Sequence, residues 1–228
     1  MELRDDKKIN ILCYGDSNTW GCIGRWVETD QPPYRYDDDH RWPMVMQKEL
    51  GERYNVVADG LCGRTTIYVH RDEGPMYSGE PYLLPCMRSH CPLDLLIIML
   101  GTNDIYNYPA LNPENIGDGI KKLVNMAQAS QWGREHQAPR ILIVAPIEMK
   151  QPAPNGRQQV YEKYRREEGV ALSKLFAPVY REIAREMNCG FLNAAEFAVP
   201  CDADGLHMDE HGQVALGKAV AHWVRENL

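Results

Sequence analysis

The chain has 228 residues and a formal net charge of −7, with 32 acidic against 25 basic side chains. That length is one large domain or two very small ones, and 44% hydrophobic residues suffice for a substantial core. The negative balance and the lack of any basic run exclude a nucleic-acid surface. Seven cysteines are an odd count with no CxxC pair, which fits reduced thiols rather than a disulfide scaffold. The N-terminus is charged with no apolar segment behind it, so it does not read as a secretory signal. The apolar stretch Leu95–Leu100 is far too short to span a bilayer. These features predict a cytoplasmic protein with no membrane contact.

The first apolar run, Ile9–Tyr14, reads as a strand that enters Gly15-Asp16-Ser17-Asn18-Thr19-Trp20-Gly21. A long segment rich in Tyr, Pro and Asp follows, residues 24–41. Its acidic run Asp37-Asp38-Asp39 reads as a solvated loop rather than a metal site. A helix is predicted over Trp42–Leu50, closed by Gly51, then a strand over Tyr54–Ala58 that leads to Gly60-Leu61-Cys62-Gly63-Arg64-Thr65-Thr66. Residues 64–83 read as a second long loop. Long loops in a compact domain are usually functional or interface-forming. Cys86 and Cys91 flank His90 with no zinc-ligand spacing, so helix packing explains them better than a metal. Leu93–Leu100 is almost continuous in Leu and Ile, as a strand buried on both faces is, and it ends at Gly101-Thr102-Asn103-Asp104.

Pro113 after Asn112 starts a helix expected to reach about Gln131, and Arg140–Ala145 is a fourth strand. A long helical stretch, Gln158–Asn188, is expected to break near Gly169 and Pro178. Gly190–Ala194 is the fifth strand. It is followed by Asp204-Gly205-Leu206-His207, and Asp209 caps a final helix. Strands alternating with helices imply an α/β fold with right-handed crossovers and a parallel sheet, in one domain over residues 1–228.

In an open parallel sheet ligands bind beyond the carboxyl ends of the strands. Ser17, Gly63, Asn103 and the Asp204–His207 pair all follow strands. Together they supply a nucleophile, a base, its orienter and oxyanion donors, the parts acyl transfer requires. Each also has an ordinary reading. Ser17 could cap a helix, Asp204 could be a turn residue before Gly205, Asn103 an Asx-turn, Gly63 a turn glycine and His207 a surface histidine. His211 is a rival base, but it falls inside the last helix without an aspartate at comparable spacing. The coincidence of all pieces at one sheet edge favours the catalytic reading. Of five serines, only Ser17 directly follows an apolar strand.

These four blocks resemble the SGNH (GDSL-type) hydrolase superfamily, over most of the chain. The style is closest to its short-chain aryl esterase branch, with acyltransferase and perhydrolase side activity. The resemblance implies a three-layer α/β/α fold with a five-stranded parallel sheet of flavodoxin-like topology. It implies a catalytic triad of Ser17, His207 and Asp204, and an oxyanion hole from the N–H groups of Ser17 and Gly63 and the Asn103 amide. No metal or organic cofactor is expected, the substrate is a small-molecule ester, and the branch tends to form homo-oligomers. Trp20 is placed either to wall a short acyl pocket or to pack in the core. Asn18 stands where the signature has leucine, and Cys62 where a small polar residue is common. The 24–41 loop and the segment 146–157 match least, so substrate identity is open. Carbohydrate deacetylase and lysophospholipase- or thioesterase-like activities share the same triad. Outside the enzymes, a flavodoxin-like module binding FMN or phosphate at the loop after the first strand remains a reading of the fold.

Overall fold

A computed structural model of the chain describes residues 8–25, 34–106 and 110–228. Five strands, β1 (Ile9–Gly15), β2 (Tyr54–Gly60), β3 (Leu95–Met99), β4 (Arg140–Ala145) and β5 (Gly190–Asn193), form one sheet. All pair in parallel, in the order β2-β1-β3-β4-β5. The helices are α1 (Ser17–Trp20), α2 (Trp42–Leu50), α3 (Gly79–His90), α4 (Pro113–Gln128), α5 (Gln158–Lys163), α6 (Arg166–Ser173), α7 (Phe176–Glu186) and α8 (Glu210–Asn227).

The period of two along each strand divides the core. Leu95, Ile97 and Met99 join Ile11, Cys13, Leu142 and Val144 under α2 and α8, with Trp42, Met46, Leu216 and Val220. Leu96 and Ile98 join Leu12, Ile141 and Ile143 on the other face, under α3, α4 and α7. Every residue of β3 is buried, which is why its sequence shows no polar alternation. Each large aliphatic side chain shut away in this manner contributes about 1.5–3 kcal/mol. This three-layer α/β/α arrangement is the one the sequence implies.

Helix ends follow local chemistry. Asn112 and Asn115 form a reciprocal capping box at the start of α4, with Pro113 at its first position. Asp209 accepts from the Gly212 N–H at the start of α8. Three sequence expectations are corrected. Helix α3 begins at Gly79, inside the segment read as loop over 64–83, because Pro81 and Pro85 disguise its pattern. Its Cys86 is buried and its His90 exposed, and no cluster of potential metal ligands occurs among the described residues. The stretch 158–188 breaks not at Gly169 and Pro178 but at Arg165, which has φ 69°, and between Ser173 and Phe176. Pro178 is the third residue of α7, where a helix needs no N–H donor. Helix α4 ends at Gln128 rather than Gln131.

Part of the 24–41 segment, residues 26–33, lies outside the described residues. Asp37, Asp38 and Asp39 are exposed and pair with His40, Arg41 and Lys48. No helix of the described residues is long and apolar enough to cross a membrane.

Candidate active site

The chain leaves β1 and turns to β2 on one side, then crosses to β3 on the other. The crevice above the carboxyl ends of β1 and β3 is therefore the topological switch point, where α/β sheets bind ligands. Ser17 is the first residue of α1, immediately after β1. Asp16 caps this single turn by accepting from the Asn18 N–H at 2.9 Å. Ser17 Oγ lies 3.0 Å from His207 Nε2, and His207 Nδ1 lies 2.7 Å from Asp204 Oδ2. The three side chains thus form one hydrogen-bonded line, although Ser17 and His207 are 190 residues apart.

Asp204 is held from behind. Its Oδ1 accepts from the N–H groups of Leu206 and His207, each at 3.0 Å, and from the Cys201 thiol at 3.4 Å. The segment read as least matching, 146–157, braces this loop through Lys150 N–H to Gly205 O, Ala153 N–H to Asp202 O and Arg157 N–H to Ala203 O. Asp204 is 1% exposed on its side chain whereas His207 keeps 14%, so the imidazole presents its Nε2 edge to the cavity.

Burial alone would raise the Asp204 carboxyl, but the His207 charge and hydrogen bond overcome it, and its pKa falls well below the ordinary carboxylate range. Burial pulls the His207 imidazole down, and the Asp204 charge and hydrogen bond more than offset this, leaving its pKa above 6.5. Burial pushes Asp16 up to about 6 and Asp104 up to about 7.

The loops after β2 and β3 are tied to each other. Asp104 accepts from the Thr66 N–H at 2.9 Å and its hydroxyl at 2.7 Å. Asn103 Nδ2 donates to Arg64 O at 3.0 Å, and Asn103 Oδ1 accepts from the Tyr164 hydroxyl at 2.6 Å. Arg64 is itself buried, lies 4.1 Å over the Tyr14 ring and donates to Gly15 O and Asp59. Gly63 has φ +86°, and a Cβ there would press on the Tyr77 ring at 3.1 Å. Glycine therefore lets the loop turn beside the Tyr77 ring without crowding it.

A cavity of about 360 Å³ joins Ser17, His207, Asp204, Gly63 and Asn103. Five of the six predicted site residues thus meet in one place. Trp20 does not. It lines a separate hollow with Arg35, Met76 and Tyr82. Arg35 donates to its carbonyl at 2.7 Å and lies 4.8 Å over its ring, which draws the indole away from Ser17.

Asn18, the departure from leucine, has a definite job. It accepts from the Met208 N–H at 2.9 Å, its Nδ2 reaches Leu206 O at 3.4 Å, and its carbonyl accepts from Gln213. It fastens the Ser17 turn to the His207 loop. Cys62 and Cys22 also line the cavity, and the Cys22 side chain lowers the pKa of the Cys62 thiol. Tyr164, His70, Arg157 and Lys163 line it too and had no signal in the sequence. Each lies in a helix or loop without a motif, and only the fold brings it to the crevice.

The fold is a three-layer α/β/α sandwich with this crevice at its switch point. The profile of the GDSL-like Lipase/Acylhydrolase family matches residues 13–215, and the chain belongs to that family. Solved structures agree. An aryl esterase of M. smegmatis is 35% identical, with a TM-score of 0.85 over 96% of this chain and 100% of its own. Est24, a carbohydrate acetylesterase of Sinorhizobium meliloti, is 33% identical, with a TM-score of 0.87 over 97% and 100%. A putative arylesterase of Agrobacterium tumefaciens str. C58 is 33% identical, with a TM-score of 0.83 over 96% and 100%. Among curated proteins none matches the chain in sequence. The family is one of carboxylic ester hydrolases.

Proposed function

We propose that the chain cleaves short-chain acyl esters through a Ser17-His207-Asp204 triad and an acyl-enzyme. The observation that carries this is the continuous line from Ser17 Oγ through His207 to Asp204, at 3.0 and 2.7 Å. Ser17 attacks the ester carbonyl while His207 takes its proton, and His207 returns that proton to the departing alcohol oxygen. Asp204 holds the imidazole with Nδ1 protonated, so that Nε2 is the basic nitrogen, and it favours the imidazolium that forms. The N–H groups of Ser17 and Gly63 and the second N–H of the Asn103 amide meet the oxyanion. Water then takes the acyl group from Ser17. A second alcohol in place of water gives acyl transfer as a side reaction.

Both aryl and carbohydrate esters fit this chemistry, since relatives of similar identity carry each name. The test is Ser17→Ala with phenyl acetate. Turnover should fall by several orders of magnitude with the fold intact, as loss of a triad serine does. Retention of more than about a tenth of the rate would remove Ser17 as nucleophile.

A further inference from the structure

His70 belongs to none of the four blocks that organise the site, yet it stands inside the catalytic cavity. The residue is only 5% exposed. Its Nδ1 accepts from the backbone N–H of Asp72 at 3.3 Å and of Glu73 at 3.1 Å. A ring nitrogen that accepts cannot carry a proton, so the neutral ring must hold its proton on Nε2. Burial, and after it the charge of Lys163, lowers the pKa of the ring below 6.5, which keeps it neutral at neutral pH. Among the described residues no acceptor takes the Nε2–H. A Cβ built on Gly63 would lie 3.7 Å from this nitrogen, which places the donor beside the loop that offers the Gly63 N–H. The ring is flanked by Tyr77 and Tyr106, with centroids 5.7 and 5.8 Å away. Tyr106 in turn donates to Asp72 at 2.6 Å, and Asp72 pairs with Lys163 at 3.0 Å. The donor is thus fixed in tautomer and direction before any substrate arrives.

We propose that His70 is a substrate-binding residue whose Nε2–H donates to an oxygen on the alcohol half of the ester, favouring acetylated sugars and polyols over aryl esters. The proposal rests on the esterase reading and adds a substrate class to it. A short acyl group has no second oxygen to accept this bond, so the acceptor must belong to the alcohol. The cavity wall also holds Arg25, Glu73, Tyr77, Arg157 and Lys163, so that groups able to donate or accept outnumber its aliphatic members, Ile23 and Leu206. A sugar supplies hydroxyl and ring oxygens for such a wall. A phenol ring supplies none, and would leave the buried donor without a partner.

Two variants separate binding from structure. In His70→Asn the short amide oxygen can still accept from the Asp72 and Glu73 N–H groups, but the Nε2 donor is gone. In His70→Gln the amide nitrogen falls near the place of Nε2. Both are assayed beside the wild type with acetylated xylose and phenyl acetate, with Tm measured for each. His70→Asn should lose about tenfold more in kcat/KM on the sugar ester than on phenyl acetate, mainly through KM. His70→Gln should recover part of the sugar activity.

Equal loss on both esters at unchanged Tm would overturn the proposal and assign the Nε2–H to the oxyanion. Equal loss with a fallen Tm would overturn it in favour of a structural role. A wild type that cleaves phenyl acetate but not the sugar ester would overturn the substrate class and leave the esterase reading standing. If neither ester were cleaved and Ser17 resisted a fluorophosphonate, both readings would fall.

Discussion

Replacing Tyr164 by Phe tests how the Asn103 amide is aimed. The Arg64 carbonyl can only accept, so it determines that Nδ2 is the atom 3.0 Å away, and the Tyr164 hydroxyl must then donate to Oδ1 at 2.6 Å. Two anchors pin the amide plane and leave one N–H for the oxyanion. Tyr164→Phe removes the second anchor and leaves Oδ1 unpaired in a site where Asn103 is only 3% exposed. The amide relieves this by turning. A buried neutral hydrogen bond is worth about 1 kcal/mol and an unpaired buried acceptor costs about 1–3 kcal/mol, so kcat should fall about 5- to 150-fold. The ceiling is set by loss of the donor itself, about 100- to 1000-fold for Asn103→Ala.

KM should change little in either variant, because the amide bonds the oxyanion better than the ground-state carbonyl. Asn103→Asp should be at least as damaging as Asn103→Ala, since a carboxylate has no donor and would face the Arg64 carbonyl. The assay is steady-state kinetics on phenyl acetate for the wild type, Tyr164→Phe, Asn103→Ala and the double variant, with circular dichroism to check folding. The double variant should be no slower than Asn103→Ala, because the pin has nothing left to hold. Multiplying losses would mean that Tyr164 acts independently of Asn103. Near-normal kcat in Asn103→Asp would mean that the oxyanion is held elsewhere.

Other outcomes follow from the same geometry. Asp204→Asn should cut kcat by about 10⁴-fold. A base must be neutral to act, so wild-type kcat/KM should rise with pH through a limb above 6.5, where Asp204 holds the His207 pKa. Without that carboxylate burial is opposed only by the weaker charges of Cys62 and Asp16, and the limb of the residual rate should move to lower pH; an unmoved limb would deny that Asp204 sets the base. His207→Ala should be nearly inactive and His211→Ala mostly active, since His211 is exposed on α8, and the reverse kinetics would reassign the base. Iodoacetamide should inactivate the enzyme through Cys62, whose thiol lines the Ser17 cavity and has its pKa lowered by the Cys22 side chain. Cys62→Ala should resist, and equal inactivation of that variant would place the modified thiol elsewhere.

The legible parts of this chain were those whose signal is local. Each strand carried its own apolar run. The caps at Asn112 and Asp209 stood within three residues of the groups they bond. Ser17, Gly63, Asn103 and the Asp204–His207 pair could be found because each block abuts a strand end, and parallel strands deliver their ends to one edge. Helix α3 was less legible, because two prolines hide a pattern that burial of Leu83, Cys86 and Met87 nevertheless enforces.

The sequence by itself therefore determined the class of fold, the family and five of the residues brought to the crevice. What only the tertiary structure decided is how those groups are aimed. The direction of Trp20 depends on Arg35, fifteen residues away. The amide of Asn103 is set by Arg64 and Tyr164, 39 and 61 residues away, and the tautomer of His70 by the fold of its own turn. Periodicity and motifs report which side chains share a face or a sheet edge. Orientation depends on hydrogen bonds between segments far apart in the chain, and these exist only after the layers have packed.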